Sequence, residues 1–502
     1  MKCMVRILLG SVLCGLAACS RPAADKELDL ALQLAEGNRS ELEAVLNHYK
    51  DDSLKYEAAR FLIRNMPYHY GQKDYYLSPE GDEYRPDITA FADKEAMQLH
   101  CDSLTRNGYR LMHENLYDVL TLDSAFLVRN IDQAFKAWHK PWAKRIPFDI
   151  FCRYILPYRA QTEEVADLRG EMMERFLPLL DTADVRTPLE ACTVLNEQLK
   201  EVIRYRDPGF TLYPTLRETY RAGFSACEGI CNLGTCIMRA VGIPVAVDIT
   251  LWPKMDLGHS WCAVWDNGRF YSFGPGEEQP DIHAEMLVSK RHRRPAKVYR
   301  RRFAPTHYGK QTADDGKTWL DSPLLEDVTC EYLDKPTTIR VPVSDREGVK
   351  ASPFKKVYLC VYNYYEWRPL AIGACSEEGI AKFTDVVGDN IFIVARNTAD
   401  GAWQYVSAPF HADRQGKIHM LVPDLENRET ATLKRQKAGT EHTLYYWDTK
   451  QNTFVPIPCQ SSTDTTQTYN QLPKDALLWL VNPQQKTNQV LCFLQNDSVM
   501  HY

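Results

Sequence analysis

Between Gly223 and Gly276 the chain reads GFSACEGICNLGTCIMRAVGIPVAVDITLWPKMDLGHSWCAVWDNGRFYSFGPG, and within it a thiol and an imidazole, Cys227 and His259, could act together. Cysteine reacts as its thiolate, which the positive end of a helix stabilises. A histidine alongside can take the thiol proton and later give it to a leaving group. Together they would attack an amide carbonyl and form an acyl-enzyme. Each also has an ordinary reading: a cysteine at a helix start is commonly a small buried apolar residue, and a histidine at a strand end is commonly structural. Cys231 and Cys236 read as helix packing. Cys227 and Cys231 stand four apart, yet no second Cys/His pair follows at zinc-ligand spacing, so no metal and no cofactor are expected.

The elements that must position this pair can be read from period and punctuation. Cys227 opens a helix of about four turns with Leu233, Ile237 and Val241 on one side, and Gly242-Ile243-Pro244 breaks it. VAVDITLW and HSWCAVW follow as strands. Asp266-Asn267-Gly268 is a hairpin signal, and RFYSF returns.

This order, with Cys227, then Arg239-Ala240-Val241-Gly242-Ile243-Pro244, then His259-Ser260-Trp261, resembles the core of the transglutaminase-like superfamily, relatives of papain-type cysteine peptidases. Leu195 to Tyr205 resembles that family's leading helix. The resemblance implies a core with its cysteine at a helix N-terminus packed on an antiparallel sheet; the helical pattern before it and the period-two runs with short turns after it make the whole α+β, with a helical N-terminal region and C-terminal β-sandwich-type modules. It also implies a third residue, an Asp that orients the histidine. Here that place falls on Gly274, with Pro275 kept. A glycine cannot accept the imidazole hydrogen bond, and loss of the equivalent carboxylate from a serine triad costs about ten-thousand-fold in rate. Glu277, Glu278 or Asp281 could reach back instead. Two readings stay open beside that of a structural envelope scaffold with no ligand pocket. One is a cysteine-dependent peptide or amide hydrolase, or a transamidase if an amine replaces water, with backbone N–H groups at the helix start holding the oxyanion. The other is a catalytically impaired protein that presents a peptide- or glycan-binding groove.

The rest of the chain bounds these readings. Its 502 residues suffice for several domains, and a net charge of -6 argues against a general nucleic-acid binder. Lys2 and Arg6, the apolar run from Ile7 to Leu16, and Leu16-Ala17-Ala18-Cys19 form a signal segment. It resembles a bacterial lipobox, which implies cleavage before Cys19, a diacylglyceryl anchor there, and a place in the cell envelope. Ser20 after the cysteine favours the outer over the inner membrane. The expected partners are a peptide or protein substrate, a glycan as a second candidate, and the membrane through the lipid. The twelve cysteines after Cys19 are scattered and form no disulfide framework of the small secreted kind.

The expected division is a signal peptide over 1–19, a helical domain over 20–185, the transglutaminase-like core over 186–304, a linker over 305–327, a β-sandwich module over 328–435 and a second β module over 436–502. Ser40 to Glu43 reads as a capping box, and Pro67 as the stop of the helix running from Tyr56. Two aromatic segments, 66–70 and 148–159, either line a groove or pack the helical domain on the core. The basic residues 290–294 and Arg300-Arg301-Arg302 read as a charged, solvated strand edge, with contact to an anion as the alternative. Residues 461–468 read as a polar loop. Tyr445, Trp447 and Trp479 are either core aromatics or a platform for a sugar ring.

Overall fold

The computed structural model describes residues 25–206, 212–281, 295–307, 318–333, 336–344, 356–398, 402–434, 441–482, 490–495 and 498–501. The signal segment with Cys19, the basic run 290–294 and much of the expected linker lie outside the described residues. Among the described residues no helix is long and apolar enough to cross a membrane.

The N-terminal layer opens with α1 (Lys26–Leu34), α2 (Arg39–His48) and α3 (Ser53–Asn65). Asp25 and Asp52 cap α1 and α3 by accepting backbone N–H groups. The expected capping box is not formed. Ser40 lies inside α2, and Glu41 accepts the N–H of Ser124 at 2.8 Å, tying two helices together. The layer is also not helical throughout. β1 (Tyr70–Leu77), β2 (Glu83–Tyr84) and, after α4 (Lys94–Arg106), β3 (Arg110–Tyr117) form an antiparallel sheet in the order β2-β1-β3. Few residues of β1 and β3 are fully buried, so their sequences lack the apolar alternation that announces a strand. The helices resume with α5 (Asp118–Thr121), α6 (Ser124–Trp138), α7 (Phe148–Tyr154) and α8 (Arg169–Thr182).

The central unit begins with α9 (Pro188–Leu199), started by a capping box between Thr187 and Glu190. The helix ends at Leu199. Arg204–Tyr205 is instead a short strand, β4, which pairs in parallel with β5 (Phe224–Ser225) beyond α10 (Leu216–Ala222). Then come α11 (Cys227–Ala240), β6 (Val245–Trp252), β7 (Leu257–Asp266), β8 (Arg269–Phe273), β9 (Tyr299–Arg301) and β10 (Leu325–Asp327), in a five-stranded antiparallel sheet ordered β10-β9-β6-β7-β8. One hydrophobic cluster runs from Leu28 through α11 to Ala304, so no packing gap separates the helical layer from the core.

Two expectations change here. The last part of the expected linker supplies the edge strand β10, and α12 (Thr329–Tyr332) packs on the sheet, so the core extends past 304. The basic segment at 300–302 is no solvated edge. β9 lies between β10 and β6, and Arg300 is 1% exposed, bonded to Asp248 at 2.9 and 2.8 Å.

Beyond the core, β11 (Thr337–Pro342), β12 (Val357–Asn363), β13 (Glu366–Cys375), β14 (Ile380–Val386), β15 (Asn390–Asn397), β16 (Trp403–Tyr405), β17 (Phe410–Ala412) and β18 (Ile418–Met420) make one antiparallel sheet. Alternate residues of β12 enter two cores. Val357, Leu359 and Val361 join the module's own core, while Tyr358, Cys360 and Tyr362 meet Trp447 and Phe493 of the last module. That module begins upstream of 436. β19 (Asp424–Lys434) pairs with β23 (Thr466–Lys474), which also pairs with β22 (Ser461–Ser462), so the polar stretch 461–468 is largely a hairpin. β21 (Thr453–Ile457), β20 (Thr443–Asp448), β24 (Leu478–Val481), β25 (Val490–Gln495) and β26 (Ser498–His501) form its second sheet in that order. Trp447 is buried there against Trp367, Tyr405 and Phe454, which makes it a core aromatic.

Candidate active site

Cys227 is the first residue of α11 and is neither fully buried nor fully exposed. Its N-cap, Ala226, carries no side chain that could cap the helix. The first-turn N–H groups therefore have no capping oxygen from that residue, the condition in which a helix start can stabilise a thiolate or an oxyanion. The other thiols of the helix differ. Burial pushes Cys231 well up and Cys236 up to about 11. None of the cysteines from Cys101 to Cys492 is in a disulfide.

The far end of α11 explains the Arg-x-x-Gly-Ile-Pro pattern. The Arg239 guanidinium is buried and donates to the Val245 carbonyl at 3.1 and 2.8 Å and to the Arg159 carbonyl at 2.6 Å. It therefore fastens the helix end to the start of β6. Gly242 sits at φ +84°, and a Cβ there would lie 2.6 Å from the Ala137 carbonyl oxygen, so only glycine fits. Ile243 N–H closes the turn on the Met238 carbonyl. The reversal sends β6 back along α11, so Trp252 and the start of β7 return towards the Cys227 end.

His259, the third residue of β7, is paired with Thr250. Its ring stacks on Trp252 at 4.3 Å and on Trp261 at 5.6 Å. Strand alternation places these residues on one face of the sheet. α11 packs on the other face, where the Cys262 thiol approaches the Cys231 carbonyl and the Thr235 hydroxyl. Cys227 and His259 thus lie towards the same end of the sheet, on opposite faces of it. The His259 face is fixed from outside by the Tyr332 hydroxyl, which accepts from the Trp261 indole at 2.9 Å and donates to Asp248 at 2.5 Å.

The three candidate carboxylates gather at Gly274. A Cβ there would lie 2.6 Å from Oε2 of Glu278 and 3.0 Å from Cβ of Glu277. The room that an Asp side chain would need is therefore taken by Glu277 and Glu278. The backbone of Asp281 bridges to Ser272. Pro275 packs so closely on α11 that a Cβ at Gly234 would come within 2.5 Å of it.

Sequence reasoning missed three contributors. Asn196, fully buried on α9, donates to the Gly274 and Glu278 carbonyls at 3.1 and 3.0 Å and accepts from Gly276 N–H at 2.9 Å, holding the turn that carries the glutamates. Its signal was an amide beside Leu195 on an apolar helix face. Tyr364 and Tyr365 form a hairpin tip at φ +52° and +65°, each in a region that costs a non-glycine residue roughly 1–2 kcal/mol. The tip reaches the turn before His259: Gly258 N–H donates to the Tyr364 hydroxyl at 2.9 Å, and Tyr364 N–H donates to Asp256. Nothing in the local sequence announces that contact. Third, Tyr213 donates to Glu228 at 3.1 Å, and its own titration is pushed up by burial and by the charges of Glu228 and Cys227.

Of the two aromatic segments, 148–159 packs the helical layer on the core, with Phe151, Tyr154 and Tyr158 buried. The 66–70 segment does both jobs, since His69 stacks on Phe303 and also lines a cavity of about 320 Å³ with Tyr68 and Tyr70.

No family model matches the chain, and no curated protein matches it. Among solved structures, similarity is found to a candidate cysteine protease from Cytophaga hutchinsonii, 13% identical over 22% of this chain and 37% of that one, with a TM-score of 0.19. Red sea bream transglutaminase is similar at 9% identity over 84% of each chain, with a TM-score of 0.22. The α+β architecture itself rests on the helices and antiparallel sheets described above.

Proposed function

We propose that the protein is a transglutaminase-like, cysteine-dependent peptide or amide hydrolase. The observation that carries the reading is the placement of Cys227 as the first residue of α11, behind an N-cap that offers no capping side chain. The Cys227 thiolate attacks the carbonyl carbon and a C–S bond forms. The proton held by His259 passes to the leaving nitrogen as the C–N bond breaks. Water then hydrolyses the thioester, returning a proton to the thiol and releasing a carboxylic acid. One of Glu277, Glu278 and Asp281, gathered at the turn after Gly274, would orient the imidazole. A lipid on Cys19 would hold this activity at the cell envelope, and metabolic labelling with palmitate, lost in Cys19→Ala, tests that part.

The stacking of His259 between two tryptophans and the glycine at position 274 favour a second reading, a peptide-binding protein without turnover. Alkylation of Cys227 against pH, resolved by peptide mapping and repeated in His259→Ala, separates the two. Fast labelling well below pH 8 that slows in the variant supports the hydrolase. An ordinary thiol profile indifferent to His259 sinks it.

A further inference from the structure

Two cavities beside the first turns of α11 share a wall. One, of about 260 Å³, is lined by Asp74, Glu114, Glu164 and Glu228. The other, of about 320 Å³, is lined by Tyr70, His69 and Arg301. Gln72 and Thr162 line both, so the two are halves of one groove. Its floor is β1: Tyr70, Gln72 and Asp74 are alternate residues of that strand and share a face. At about 3.3 Å per residue they mark a floor about 13 Å long, which matches an extended tetrapeptide.

The halves differ in charge. At the acidic end Asp74 is paired with His113, and Arg85 is held by Glu218. Glu114 and Glu164 make no salt bridge among the described residues, though both carboxylates act on the charge of Lys73, the cross-strand partner of Glu114. Glu228 binds Tyr213, and burial raises its carboxyl pKa against the pull of Arg301. At the other end, the Arg301 guanidinium makes no hydrogen bond or ion pair among the described residues, and its Nε is buried without a partner. Asn232, 3% exposed and one helical turn on from Glu228, lines the acidic half. Its Oδ1 accepts from Gln161 at 2.9 Å, while its Nδ2 has no acceptor among the described residues. The Arg301 guanidinium, whose buried Nε has no acceptor, is a group that a ligand in the groove would satisfy.

We infer that this groove binds an extended, zwitterionic peptide of about four residues, its ammonium at the Glu114–Glu164–Glu228 end and its carboxylate on Arg301. The peptide backbone crosses Asn232, whose Nδ2 donates to a peptide carbonyl, and passes the residue next to Cys227. The inference rests on the hydrolase reading for what becomes of the peptide and not for its binding.

The test uses the full chain carrying Cys227→Ala, so that a failure of thiol chemistry leaves the measurement untouched. Tetra-alanine with free termini, its N-acetyl form, its C-terminal amide and the doubly blocked peptide are titrated calorimetrically. The free peptide is expected to bind about tenfold tighter than either singly blocked form, the worth of one charge-assisted bond. Glu114→Gln with Glu164→Gln should erase the preference for the free amine alone. Arg301→Gln should erase the preference for the free carboxylate alone, and Arg301→Lys should keep part of it. Equal binding of all four peptides, no binding of any at millimolar concentration, or ratios unchanged in the variants would each overturn the inference.

Discussion

One face of the five-stranded sheet is buried under α11 by hydrocarbon, and the other is closed under α12 by an ion network. On the α11 side Val245, Val247, Cys262, Val264 and Phe273 meet Ile230, Leu233 and Ile237, and glycine at 234 lets Pro275 sit against the helix. On the other side Asp248, Arg300, Tyr332 and Trp261 satisfy one another, with Phe270 under the Arg300 guanidinium at 3.6 Å. Apolar packing tolerates small volume changes and degrades gradually. A buried ion network fails abruptly when one partner goes, because the other remains charged and desolvated. The candidate site stands where the two faces meet at one end of the sheet, with the thiol on one side and the imidazole on the other.

The sharpest way to break this contrast is Asp248→Ala. It leaves the buried Arg300 with only the partly exposed Glu331 as a carboxylate partner, and a loss of about 3 kcal/mol in urea unfolding is expected. The paired change Asp248→Leu with Arg300→Met should recover much of that, and a loss under about 1 kcal/mol for the single variant would contradict the network's role.

The N-terminal layer packed against this core holds a buried histidine. Burial lowers the pKa of His69, 5% exposed, to about 4 from an ordinary 6.5. Between those values the unfolded chain binds more protons than the folded one, so stability is full above about pH 6.5 and falls as pH drops to about 4, by a total of about 3 kcal/mol. Thermal melts across that window should flatten in His69→Gln.

Tyr332→Phe removes the hydroxyl that joins Trp261 to Asp248 and leaves the indole N–H buried, for an expected cost of about 1–3 kcal/mol in the same urea assay. The smallest effect is a balance of two terms. Gly234→Ala gains about 1 kcal/mol of helix propensity but forces a methyl to within 2.5 Å of Pro275, an overpacking cost of about 1–3 kcal/mol. A net loss of about 1 kcal/mol is expected. A net gain would show that the Pro275 turn yields freely, and with it the glutamates it carries.

Much of the central unit was legible because its signals are local. The helix from Cys227, the break at Gly242 and the strands on either side of Pro253 follow from periodicity and from residues that punctuate the chain. The β runs at 357–363, 390–397 and 443–448 were visible for the same reason. The strands at 70–77 and 110–117 were not, because a sheet half open to solvent needs no apolar alternation. Arg300 was misread because a basic run looks the same whether it faces water or a buried Asp248 fifty-two positions away.

The amino-acid sequence by itself determined which residues could react and which helix and strands carry them, since capping, turn chemistry and period act over a few residues. The tertiary structure alone decided on which face of the sheet His259 lies and that Glu277 and Glu278 take the room left by Gly274. It alone joined the 66–70 segment, the 160–164 loop and Arg301 into one groove. Those placements depend on pairings between distant parts of the chain, which no local signal encodes.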